Sequence, residues 1–212
     1  MKKTKLIVAV AILATGIFTA CKGDEPNGGG DNNSPAKIGI LINGVVWAPY
    51  NVGATGKFVA KPEDYGGLYQ WNRKDTANFL LVADYFASDF SKATSWLPAN
   101  DPSPAGWRVP TSAELDSLLD AAKVTYEWTT VNGINGSRFT DKATSKSIFL
   151  PAAGARDNNS GMSGYIGDAC YYWNSTQFDD YNATFLFSGN GGAYLYNDAY
   201  KANGFSIRPV AK

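Results

Sequence analysis

The sequence contains no histidine. That absence alone excludes Ser-His-Asp triads, Cys-His pairs, imidazole metal sites and histidine general bases. Cysteine is almost as scarce, with two residues, Cys21 and Cys170, in a chain of 212. Charged residues make up 18%, with Lys+Arg and Asp+Glu both at 19, so no basic patch is available for nucleic acid. Long apolar runs are missing too. The stretch from Leu6 to Phe18 would extend only about 20 Å as a helix, against a hydrocarbon core of roughly 30 Å.

What that stretch does fit is an export signal. Lys2, Lys3 and Lys5 form a cationic head before it, as in a secretory leader. Phe18-Thr19-Ala20-Cys21 then resembles a lipobox, which makes residues 1–20 a lipoprotein signal peptide and Cys21 the lipidated first residue of the mature chain. Acyl chains such as palmitate, two or three together, hold such a protein firmly to a membrane. With Cys21 so used, Cys170 is left alone. The domain then forms no internal disulfide and offers no thiolate pair for copper or zinc, and Cys170, inside the apolar run Ala169-Cys170-Tyr171-Tyr172-Trp173, reads as a buried structural thiol. Lys22-Gly23-Asp24-Glu25 resembles the signal of Bacteroidota lipoproteins that are moved to the cell surface. Residues 21–36, rich in glycine and asparagine, read as a flexible tether. Glu25-Pro26-Asn27 within it spells a sugar-binding tripeptide of calcium-dependent lectins, but a tether cannot preorganise a site.

Residues 37–212 suffice for one domain with a sizeable core. Aromatic residues are abundant, with 12 Tyr, 11 Phe and 6 Trp in the whole chain, and they favour strands and interfaces. Asn43-Gly44 between Ile38–Ile42 and Val45–Tyr50 predicts a tight hairpin. Thr111-Ser112-Ala113-Glu114 is a capping box, and Leu115, Leu118, Leu119 and Ala122 extend the expected helix over 112–123. Strands are expected at Tyr126–Val131, Ser147–Leu150, Cys170–Ser175, Ala183–Ser188, Ala193–Asn197 and Phe205–Val210, with a second hairpin around 189–192. Ala77–Phe90 stays open between helix and loop. The segment 151–167 shows no periodicity, and a long irregular loop of this kind is usually functional or disordered. The expected class is α+β.

Six blocks of sequence then stand in a telling order: Val46-Trp47-Ala48-Pro49-Tyr50-Asn51; Tyr65-Gly66-Gly67-Leu68-Tyr69-Gln70-Trp71; Gly106-Trp107-Arg108-Val109-Pro110-Thr111 with Glu114-Leu115; Leu150-Pro151-Ala152-Ala153-Gly154 with Arg156; Tyr172-Trp173-Asn174-Ser175-Thr176; and Gly204-Phe205-Ser206-Ile207-Arg208-Pro209-Val210. Together they resemble the Fibrobacter succinogenes major paralogous domain over about residues 38–211. The resemblance implies a C-type-lectin-like fold, in which a small twisted antiparallel sheet carries long irregular loops and the first and last strands lie side by side. Trp47, Trp71, Trp107 and Trp173 are expected in the core. Arg108 and Arg208 are expected to tie strand ends to carboxylates or carbonyls, and Gly106, Gly154 and Gly204 to supply backbone conformations closed to other residues.

The functional expectation is a non-catalytic binding or adhesion domain, exposed on the outer membrane and directed at a glycan or a cell-surface protein. Polar and aromatic loop residues are its candidate contacts: Arg156, Asp157, Asn158, Asn159, Asp179, Asp180, Tyr181, Tyr194, Tyr196, Asn197 and Asp198. A structural or tip subunit of a surface fibre is the alternative. A sulfatase-modifying-type enzyme ranks behind both, because its cysteine pair has no counterpart here. No cofactor is expected. A calcium loop opened by Asp157, with Asn159 and Asp168 in register, fails at Gly161 and Met162, and carboxylates such as Asp179 and Asp180 leave calcium only a weak opening.

Overall fold

The computed structural model describes residues 38–212, so the leader, the Cys21 anchor and the tether lie outside the described residues. In chain order the strands begin with β1 (Ile40–Ile42), β2 (Val45–Trp47), β3 (Tyr69–Gln70) and β4 (Trp107–Arg108). Next come β5 (Val124–Val131), β6 (Ile134–Asp141), β7 (Ser147–Pro151), β8 (Ala155–Arg156) and β9 (Ser163–Gly164). The last are β10 (Ala169–Gln177), β11 (Asn182–Gly189), β12 (Gly192–Tyr200), β13 (Gly204–Phe205) and β14 (Val210–Ala211). They pair antiparallel in four sheets, ordered β1-β2-β14-β4, β3-β13-β8-β9, β5-β6-β7 and β10-β11-β12. The single small sheet expected from the sequence is therefore replaced by four. Among the described residues helix is confined to short pieces, chiefly α1 (Val82–Ala87) and α2 (Ser112–Asp116).

Local chemistry explains the turns. Asn43 and Gly44, at φ 42° and 81°, both sit in the left-handed region and close the β1-β2 hairpin, a conformation this dipeptide reaches at low cost. Asn132 and Gly133 repeat it at φ 48° and 84° between β5 and β6. Strand β6 was not expected, although its turn carries the same dipeptide. The capping box forms as expected, Thr111 Oγ1 accepting from the Glu114 amide at 3.3 Å while Glu114 accepts from the Thr111 amide at 2.7 Å. The helix is shorter than 112–123. After Asp116 it tightens into a 3-10 turn ending at Leu119, and Asp120 then takes the amides of Lys123 and Val124 on its carbonyl, turning the chain into β5.

The β10-β11-β12 sheet divides the interior. Cys170, Tyr172 and Leu186 face one apolar cluster with Trp47, Leu115, Phe139 and Leu150. Trp173, Phe185, Ala183 and Ala199 face the other, with Trp71, Val109, Phe205 and Ile207. A strand buried on both faces reads as an unbroken apolar run, which is why 169–173 shows no alternation. All four expected core tryptophans are at most 2% exposed. The Trp173 ring stacks on Phe205 at 4.2 Å, and its indole N–H donates to the Tyr69 carbonyl at 2.8 Å.

The ends of the fold meet as expected. Val210 pairs with Trp47, and the amides of Ala48 and Val52 donate to Pro209 and Ile207. The expected continuous strand Phe205–Val210 is instead broken into β13 and β14. Its middle leaves one sheet to bridge Tyr172 through Ser206, and Pro209 has no amide to continue a ladder. Arg208, 1% exposed, is held by Asn51 Oδ1 and the carbonyls of Ala48, Pro49 and Phe149 at 2.7 to 3.3 Å.

Candidate functional site

The segment 151–167 is ordered and builds a wall. Gly154, at φ 67°, donates its amide to the Ala169 carbonyl at 3.1 Å, and a Cβ there would collide with the Gly164 carbonyl oxygen. The chain then runs out through β8 and returns through β9, pairing Ala155 with Gly164 and Arg156 with Ser163. Asp157 holds the turn between them. Its Oδ1 accepts from the amides of Asn159 and Ser160 and from the Ser160 hydroxyl at 2.8 to 3.0 Å, and these bonds, led by the Ser160 amide, keep its carboxyl below the usual range. Arg156 braces the turn from inside, its Nε donating to the Gly161 carbonyl at 2.7 Å and its guanidinium lying 4.0 Å from the centre of the Phe79 ring. Gly204 faces this point at negative φ. Its role is therefore close approach rather than a left-handed conformation, since a Cβ would lie 2.9 Å from Arg156 Cβ.

Between this wall and the sheet lies a cleft of about 370 Å³, lined chiefly by Arg156, Asp157, Met162, Tyr165, Tyr171 and Phe205. Its floor continues outward as a strip of aromatic rings. Tyr171, Phe187 and Tyr194 are cross-strand partners on β10, β11 and β12, and Trp173, Phe185 and Tyr196 form the adjacent row. Ring centres run from Tyr165 to Tyr171 (6.1 Å), Phe187 (5.3 Å), Tyr196 (5.9 Å) and Tyr194 (6.0 Å). Exposure climbs along the face, from 0% at Trp173 and 3% at Phe205 to 44% at Tyr196 and 66% at Tyr165. Burial, with Tyr165 nearby, pushes the Tyr171 phenol above its usual pKa, so its ring serves as a neutral surface. Rings of this kind present a rigid apolar face with a hydroxyl at the edge.

The residues expected as contacts do not converge on one site. Arg156 and Asp157 line the cleft, and Tyr194 and Tyr196 end the strip. Asn159 is exposed on the Asp157 turn, whereas Asn158 is only 4% exposed and its carbonyl accepts from the Val82 amide, so it is withdrawn as a surface contact. Asp179 spends its carboxylate on the Tyr181 and Asn182 amides and the Asn182 side chain. Asp180 and Tyr181 border a separate hollow next to Lys201, whose Nζ contacts Gln177 Oε1 and the carbonyls of Ser91, Ala93 and Asp180 at 3.1 to 3.4 Å. Asn197 and Asp198 form a bulge in the exposed strand β12. Sequence reasoning missed Tyr165, Tyr171, Phe187 and Phe205. The aromatic run Tyr171-Tyr172-Trp173 was the available signal, but only the pairing assigns each ring to a face.

Other chemistry at the site is thin. Cys170 is fully buried between Ser137 and the Leu150 carbonyl, and burial pushes its thiol up to about 11. Among the described residues no group of three His, Cys, Asp or Glu side chains is placed to hold a metal ion.

A family model, described as a domain of unknown function (DUF8237), matches residues 125–210. That stretch holds the wall, the floor of the cleft and every ring of the strip. No curated protein and no solved structure matches the chain.

Proposed function

We propose that this chain is a lipid-anchored binding protein of the bacterial outer membrane, exposed at the cell surface, whose C-type-lectin-like domain holds a glycan across the cleft and its aromatic strip. The observation that carries the reading is the continuous run of rings from Tyr165 to Tyr194, exposed at both ends and half-buried between, beside the buried Trp173 and Phe205. The ring faces suit the flat C–H faces of pyranoses, and the hydroxyl edges and Arg156 suit their oxygens. The fold analogy draws support from the adjoining first and last strands and from a site built of irregular segments on a sheet, and fold alone fixes no activity. A non-catalytic role agrees with the lack of histidine and with a thiol sealed in the interior. Anchoring rests on the Cys21 motif alone. Labelling with a palmitate analogue, lost in Cys21→Ala, tests it.

The reading is tested by screening the full chain, purified in detergent, on a glycan array. Selective binding is expected, falling at least tenfold in Tyr196→Ala and in Tyr165→Ala with thermal stability nearly unchanged. Binding that survives both substitutions would sink the assignment of the site. The fibre-subunit reading draws on one observation, that among the described residues β12 ends its sheet and pairs on one side only. The Asn197-Asp198 bulge blunts that edge, which favours the glycan reading.

A further inference from the structure

We propose, resting on the glycan reading above, that the ligand is an acidic sugar and that Arg156 receives its carboxylate. The described residues contain five arginines. Arg73, Arg108 and Arg138 each pair with a carboxylate, and Arg208 is closed off by four neutral oxygens. Arg156 belongs to neither group. It lines the cleft, no carboxylate lies within ion-pair distance of it among the described residues, and its protein partners are carbonyls: Gly161 on Nε at 2.7 Å and Thr76 on Nη1 at a long 3.5 Å. Its Nη2 has no protein acceptor among the described residues.

The carboxylate that lines the same cleft, Asp157, is turned to its own loop through one of its oxygens, Oδ1, which takes three hydrogen bonds there. The stack on Phe79 holds the guanidinium plane, so little freedom is lost when a ligand arrives. A guanidinium with Nη2 open and Nη1 held by a single long bond to Thr76 matches a carboxylate in a way that a neutral hydroxyl does not. Tyr165 and Tyr171 beside it supply faces for the ring that bears the acid. The fit is to a uronate or sialate unit, with neighbouring sugars lying along the strip toward Tyr196.

The test titrates the full chain in detergent with oligogalacturonate, with sialyllactose and with neutral galactan oligomers of matched length, at one fixed ionic strength. At least one acidic probe is expected to bind about tenfold or more tighter than its neutral counterpart, the range of a charge-assisted hydrogen bond. Which one does so separates an internal uronate from a terminal sialate. Arg156→Gln removes that margin and leaves the weak neutral binding, whereas Tyr196→Ala weakens both. Because Arg156 also braces its turn, Asp157→Asn gives a second arm: asparagine keeps the turn's acceptor oxygen and removes the competing anion, so acidic binding rises severalfold. Equal affinity for acidic and neutral probes overturns the inference and leaves the glycan reading standing. So does an acidic preference that survives Arg156→Gln, or an Asp157→Asn chain that gains nothing. Binding of no probe overturns the inference, and silence on the whole glycan array overturns the glycan reading with it.

Discussion

The two faces of the β10-β11-β12 sheet carry similar side chains and meet opposite fates. On one face Tyr172 is fully buried, and its hydroxyl donates to the Pro151 carbonyl at 3.1 Å and accepts from the Asn51 side chain at 2.9 Å. Nearby, Ser137 and Ser188 bond each other at 2.7 Å beside the Cys170 thiol. Every polar tip named there finds a partner. On the other face the burial of Trp173 and Phe205 fades into Tyr171, Phe187, Tyr196 and Tyr194, whose edges reach water. Composition is thus a poor guide to role. A tyrosine one position along the strand changes from a pin in the core to a contact surface, because side chains alternate across the sheet.

Four experiments sharpen that contrast, and the largest effect comes from the buried end of the open face. Trp173→Ala removes a ring stacked on Phe205 and an indole bond to Tyr69, and should cost about 3–5 kcal/mol in denaturant unfolding. An effect below about 1 kcal/mol would mean that the two rows of rings are not one structure. On the sealed face, Tyr172→Phe leaves Asn51 and Pro151 without their shared hydroxyl and should cost about 1–2 kcal/mol, with no change in ligand binding.

Smaller still is the pair that ties α2 to β4. Burial alone would raise the Glu114 carboxyl, but the Arg108 guanidinium at 2.6 Å and the Thr111 amide outweigh it and leave the group below its ordinary value of 4.5. A carboxyl depressed in the folded state contributes its stability in full above that ordinary value and loses it as pH falls through the folded pKa. Melting temperature should therefore drop on acidification below 4.5, and the drop should be shallower in Glu114→Gln, which itself loses about 1 kcal/mol at neutral pH. The least effect on stability is expected at the open end: Tyr196→Ala should shift unfolding by under about 1 kcal/mol while binding falls tenfold. A large loss of stability there would make Tyr196 a core residue and dissolve the distinction between the faces.

Legibility in the sequence followed the range of the forces involved. Asn43-Gly44 and the Thr111 box act over a few residues, and both form as expected. Asn132-Gly133 was equally readable, but glycine at 136 and polar residues along β6 hid its partner strand. Helix α2 was overextended because Leu118, Leu119 and Ala122 keep helical spacing while Asp120 turns the chain. Phe205–Val210 looked like one strand because apolar content does not show which neighbour each residue will choose. Arg156, Asp157, Tyr194 and Tyr196 were identifiable as polar or aromatic groups suited to contact. Their assembly with Tyr165, Tyr171, Phe187 and Phe205 depends on pairings between distant stretches, which no local pattern encodes.

The pairing of β14 with β2 has a consequence for the chain as a circuit. Ile40 lies opposite Trp47, and Trp47 lies opposite Val210, so the two ends of the described fold stand two strand spacings apart, roughly 10 Å. A short peptide can close that gap, and the exposed β11-β12 turn at Asn190 offers a place to open new ends. Such a rearranged chain should keep its strands while moving its ends beside Tyr194, and a domain wired this way can be lifted whole into a loop of another protein.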